Sequence, residues 1–241
     1  MRKRGMVAFG LPVLALAAAA EADTFGVSGL AGTGVTAQVT FNYSAIDATS
    51  GTIAISIENT TPDSGSTEGA RISAFAFNTP SGFTITSIGG DVDDAGAQAA
   101  TALVAPNESG WHARYDGDNI DTPNAAGDFD FGVMNSDNVQ AFITDGVGSS
   151  VFIIPGETTS FELAVVGTGL SSLTTADFLN ALSVNGTAGQ FSFGVRFQGI
   201  GPQGLSDLAV PGDTPPIPLP ASAVLGLLGL GGVGAVRRRY A

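Results

Sequence analysis

The sequence predicts an all-β body: a two-sheet sandwich of jelly-roll or immunoglobulin-like type with one short helix, carried between two apolar ends. Three observations lead there. Apolar residues recur at every second position in several short rows, the pattern of a strand with one face buried and one wet. Clusters of Gly, Pro, Asn, Asp and Ser, such as "TPDSGSTEG" and "DGDNIDTPNAAGD", separate the rows as turns. About nine or ten one-sided strands need a second sheet to cover them. The 241 residues suffice for one such domain without covalent staples.

In chain order, residues 1–22 read as a secretory signal peptide. Arg2, Lys3 and Arg4 precede an apolar stretch from Met6 to Ala20, and Ala20-Glu21-Ala22 offers an A-x-A cleavage site. The β body is expected over 23–210. Val35, Ala37, Val39 and Phe41 form one row; Ile53, Ile55 and Ile57 a second; Phe161, Leu163 and Val165 a third. Phe191, Phe193, Val195 and Phe197 form a fourth, which puts Ser192, Gly194, Arg196 and Gln198 on a wet face. Shorter candidates are 71–77, 83–88, 111–115, 129–133 and 151–154. The clear helix signal is "LTTADFLNAL": Thr174 or Thr175 can cap it, Asp177 suits its first turn, and Phe178, Leu179 and Leu182 give an apolar face that would plug one end of the sandwich.

Residues 211–220 are a proline-rich linker, and 221–241 are expected to form a membrane helix with a basic end. From Leu219 to Val236 there are 18 residues without a charge, roughly 27 Å of helix against a bilayer core of about 30 Å. Arg237, Arg238 and Arg239 would hold the far end on the cytoplasmic side, which agrees with a body exported by the leader.

Charge and composition narrow the chemistry. Three of the nine basic residues sit at 2–4 and three at 237–239, leaving Arg71, Arg114 and Arg196 inside. All 22 acidic residues lie between Glu21 and Asp213, so the body is more acidic than the whole-chain net charge of −13. Such a surface repels phosphate backbones, and no nucleic-acid partner is expected. The absence of cysteine excludes disulfides, thiolate catalysis and thiolate-bound zinc. His112 is the one histidine, and no G-x-S-x-G elbow accompanies it; "GSSVF" at 148–152 is only a superficial nucleophile signal. No cofactor and no enzymatic activity are expected; a hydrolase built on paired carboxylates is the least favoured reading, with no pair to nominate.

The candidate metal is calcium. Asp116, Asp118, Asn119 and Asp121, followed by Asp128 and Asp130, place alternating oxygens on a glycine-containing loop, although the EF-hand glycine and glutamate positions are not met. Asp91, Asp93 and Asp94 form a smaller cluster. Trp111, Tyr115 and Phe129 could stack on sugar rings or fill the core. N-x-S/T sequons begin at Asn42, Asn59, Asn107 and Asn185.

The C-terminal run Ile217-Pro218-Leu219-Pro220-Ala221, the apolar Gly/Leu stretch and the three arginines resemble the VPLPA version of the PEP-CTERM sorting signal, with Ile217 in place of valine. The resemblance implies an exported protein of a Gram-negative, often polysaccharide-producing bacterium. It also implies recognition by an exosortase-type membrane protease that cleaves near the Pro-Leu-Pro-Ala box. Fragments of the body, "AFAFNTP", "PGETTSFEL" and "FSFGVRFQGIGPQGLSD", resemble a group of exported PEP-CTERM β proteins. The resulting expectation is a surface or extracellular-matrix protein, first held at the inner membrane, with a structural or associative role in an exopolysaccharide layer. A calcium- or carbohydrate-binding module is the alternative.

Overall fold

Between Thr36 and Asn59 nearly every second side chain is apolar, and the backbone follows the pattern. Strands β2 (Thr36–Ala45) and β3 (Ser50–Asn59) pair in unbroken register from Ala37↔Asn59 to Ala45↔Gly51. Strand β9 (Thr158–Thr168) extends the same ladder, Phe161 opposite Ile55 and Leu163 opposite Ile53. The computed structural model of the chain describes residues 22–88, 98–100, 111–122, 126–135 and 152–212. Its remaining strands are β1 (Asp23–Gly29), β4 (Arg71–Phe77), β5 (Thr84–Ile88), β6 (Gln98–Ala100), β7 (His112–Asp121), β8 (Asp128–Met134), β10 (Phe193–Ile200) and β11 (Leu205–Pro211).

All eleven strands belong to one antiparallel sheet, in the order β5-β9-β3-β2-β1-β11-β10-β4-β8-β7-β6, curled into a half-barrel. The two sheets expected from the sequence are thus joined through β1 and β11, which pair at Val27↔Pro211 and Gly29↔Ala209. The curl brings the two arms face to face. Phe75 of β4 lies 4.9 Å from Phe161 of β9, and Phe41 of β2 lies 5.4 Å from Phe77 of β4, ring centre to ring centre. Phe193 of β10 touches Phe25, Phe41, Phe75 and Phe77, so one aromatic cluster ties both arms. Each such pair adds about 0.5–1.5 kcal/mol beyond its burial.

The arms differ in how they meet water. In β2, β3 and β9 burial alternates strictly, as the period-two rows predict. In β4, β8 and β10 it runs almost unbroken, because a second apolar cluster covers the other face: Ala74, Ala76, Phe129, Met134, Leu208 and Val210 belong to it. The wet face expected for β10 is therefore corrected: Ser192, Gly194 and Arg196 are buried. Continuous runs such as "ISAFAF" are the sequence signature of a strand covered on both sides.

The helix forms as expected but is short. Helix α1 (Thr175–Leu179) starts after Thr174, whose N–H and hydroxyl both donate to Asp177 Oδ2, at 2.8 and 2.7 Å. Phe178 packs on Phe41 and Tyr43, and Thr175 Oγ1 accepts the Tyr43 N–H at 2.9 Å, where β2 has outrun its partner β1. Leu182, expected on its apolar face, lies beyond the helix and is exposed. The 151–154 candidate gives only a bridge, Ile72↔Ile153.

Candidate functional site

The acidic run does not form the free loop expected of it. Asp116, Asp118, Asn119 and Asp121 fall within β7. That strand pairs with β8 at Tyr115↔Phe131 and next at Ile120↔Phe129, so it uses four residues where β8 uses one, and 116–119 bulge out of the ladder. The side chains of those four candidate ligands lie outside the described residues. The two acids that follow are described, and each fastens a neighbouring segment. Asp128 Oδ2 accepts from Asn185 Nδ2 at 2.9 Å. Asp130 is buried, and its Oδ2 accepts from both the N–H and the hydroxyl of Thr79. Among the described residues no three His, Cys, Asp or Glu are grouped to hold a metal.

Trp111, Tyr115 and Phe129 do not make a platform. Trp111 sits in the main core, edge-on to Phe161 at 5.2 Å. Phe129 belongs to the cluster on the opposite face of its arm. Tyr115 Oη donates to the Ile85 carbonyl at 3.3 Å and so meets the free edge of β5 from the far arm. Of the sequons, Asn59 is fully buried: its Nδ2 donates to the Ala70 and Ile153 carbonyls, and its Oδ1 accepts from the Thr61 N–H. It is a structural linchpin with no free amide for modification. Asn185 is exposed in a left-handed conformation at φ 60°. Asn107, the side chain of His112, the acids at 91–94 and residues 148–151 lie outside the described residues. So do Pro218, Leu219, Pro220, Ala221, Arg237, Arg238 and Arg239. Among the described residues no helix is long and apolar enough to cross a membrane.

The feature that sequence reading did not single out is the outward face of β1, β2, β3 and β9. Strict alternation sends the apolar residues in and leaves a surface of hydroxyls. Thr24, Thr40, Ser56 and Ser160 stand directly opposite one another across the four strands. Thr24 and Thr40 hydroxyls are 2.9 Å apart, and Ser160 Oγ donates to Ser56 Oγ at 3.3 Å. One pleat along, Asn42, Ala54 and Glu162 form the next row. Both rows, apart from Thr24, line a groove of about 390 Å³, together with Ala22, Ile55 and Phe161. Asn42 Oδ1 is shut off from solvent there and accepts no hydrogen bond. No family model, no curated protein and no solved structure matches the chain.

Proposed function

We propose that the chain is an exported, non-enzymatic surface or matrix protein, delivered by residues 1–22 and held at the inner membrane by residues 221–241. An exosortase-type protease then processes it near Pro218-Leu219-Pro220-Ala221, and the body associates with an exopolysaccharide layer. The observation that carries this reading is the order of the C-terminal end: proline box, uncharged apolar stretch, three arginines. The topology supports it. β1 begins and β11 ends at the same end of the sheet, so the body's first and last strands open on one side, which suits tethering by a C-terminal anchor. We read the folded-over sheet as a sandwich of the jelly-roll or immunoglobulin-like kind whose layers remain continuous.

Deleting residues 215–241 tests the reading. The truncated protein is expected in the medium with its sheets intact by circular dichroism, and the full chain in the membrane or surface fraction. Equal retention of both on cells would overturn it. Intact-mass measurement of the surface-extracted full chain reports whether each end has been removed.

A calcium-binding reading draws on the acidic run itself and on the register shift of β7 between Tyr115 and Ile120, which spans Asp116, Asp118 and Asn119. If it holds, millimolar calcium raises the melting temperature of the full chain over that in EDTA, and D116N/D118N abolishes the rise. Identical melting in both buffers would remove calcium from consideration.

A further inference from the structure

We propose that the outward face of β1, β2, β3 and β9 binds neutral polysaccharide, with the groove at Asn42, Ser56, Ser160 and Glu162 as a subsite. The proposal rests on the surface-association reading above and names the face and the ligand class. Four observations converge on it. The first is the inventory. Strands β1, β2, β3 and β9 contain no Lys, Arg or His, while Glu58 and Glu162 stand on the outward face. Phosphate, sulfate and uronate polymers would meet like charge there. A neutral polyol would not, and its hydroxyls match a surface of hydroxyls because both partners donate and accept.

The second is the spacing. Adjacent strands lie about 4.8 Å apart, so the row Thr24-Thr40-Ser56-Ser160 is a ladder of hydroxyls running across the strands. The third is shape. The groove, about 390 Å³, falls in the range of about 300–1,000 Å³ common for small-molecule subsites. Glu162, exposed on β9, offers a charged acceptor that makes stronger hydrogen bonds to hydroxyls than a neutral group does.

The fourth is Asn42. A buried polar oxygen without a partner is rare in folded proteins and is destabilising by about 1–3 kcal/mol. Asn42 Oδ1 is one. The amide turns about a soft, two-fold χ2 torsion. A rotation that presents its oxygen to the groove lets a ligand hydroxyl supply the missing donor. The free protein thus holds an unmade hydrogen bond beside a largely apolar groove whose lining also includes Thr40, Ser56 and Ser160, and a polyol, with its hydroxyls and its apolar ring faces, completes it. Phe161 lines the groove but is buried in the core and offers no open ring face, so each sugar contact is weak. Appreciable retention comes from a polymer that touches several rows, or several copies, at once.

Affinity electrophoresis of the full-length chain in mild detergent, through gels cast with dextran or with alginate, tests this. Retardation is expected in dextran and not in alginate. Asn42→Ala and Ser160→Ala should each raise the dextran concentration needed for half-maximal retardation about fivefold. Thr158→Ala, on the same face but outside the groove, should leave it unchanged. Ser160 is exposed, so its variant separates lost contacts from lost folding; melting temperatures of all three check this. Retardation that survives both groove variants would overturn the groove while leaving surface association intact. Preference for alginate, or no retardation by dextran, would overturn the ligand class, while the fractionation of the tail-deleted chain still decides export separately.

Discussion

Burial pushes the Tyr43 phenol above its ordinary value near 10, since the ionised ring would lose its hydration. Tyr43 also donates to the Leu170 carbonyl at 2.9 Å, a bond only the neutral form can make. A group whose folded pKa is raised contributes stability that is complete below its unfolded pKa and is lost as pH rises through the folded value. The chain is therefore expected to lose melting temperature above about pH 10. Tyr43→Phe should lower stability by about 1–3 kcal/mol at neutral pH, by leaving a buried carbonyl unsatisfied. It should narrow its gap to the parent as the pH climbs. Melting curves from pH 8 to 12 decide it; a constant gap would contradict the assignment. Asp47 has the opposite sign. The Thr49 backbone N–H, followed by the Thr49 hydroxyl, lowers its pKa, so its contribution is present above the unfolded carboxyl value and fades only as pH falls through the lowered one.

At the scale of elements, the strands that could be read from sequence are those with one clean wet face. β2, β3 and β9 announce themselves by alternation, and the arm buried on both faces shows instead as unbroken apolar runs. Arg196 misleads because a charge normally marks solvent, yet here it is buried between strands. β1 hides in "DTFGVSG", two apolar residues among glycines beside the leader. β11 hides in "LSDLAVP", broken by Asp207 and closed by a proline. Asp207 is buried because the turn after β1 needs it: its carboxylate accepts from the Ala31 N–H and the Thr33 hydroxyl. The groove could not be read at all. Outward Ser and Thr are what any wet strand face shows, and Asn42, Ser56 and Ser160 become neighbours only once three strands are in register. For α1 the prediction is local. Asp177→Ala removes the acceptor of both Thr174 donors and should cost about 1 kcal/mol. Urea denaturation measures it, and no change would mean that Phe178 packing alone holds the helix.

At the scale of the molecule, stability is concentrated where the arms meet. Phe193 is fully buried and contacts four other rings drawn from β1, β2 and β4. Phe193→Ala should destabilise by about 3–5 kcal/mol, against about 0.5 kcal/mol or less for an outward Thr158→Ala. Comparison of the two by chemical denaturation tests whether the curled sheet behaves as one cooperative unit. A small loss at Phe193 would mean that the arms are stable apart.

The pairing of β1 with β11 sets a timetable. The first strand to emerge during synthesis or translocation takes β2 on one side, but its other side must wait about 180 residues, until 205–211 has passed through. Through that interval β1 presents bare backbone along one side, the kind of edge that recruits neighbouring chains; β10 joins it only for the last few residues before β11. A ribosome or pore that stalls before Leu205 therefore leaves a sheet split down its middle. Chaperone holding, or simple speed, must bridge the gap before the last strand slides in and zips the two halves together.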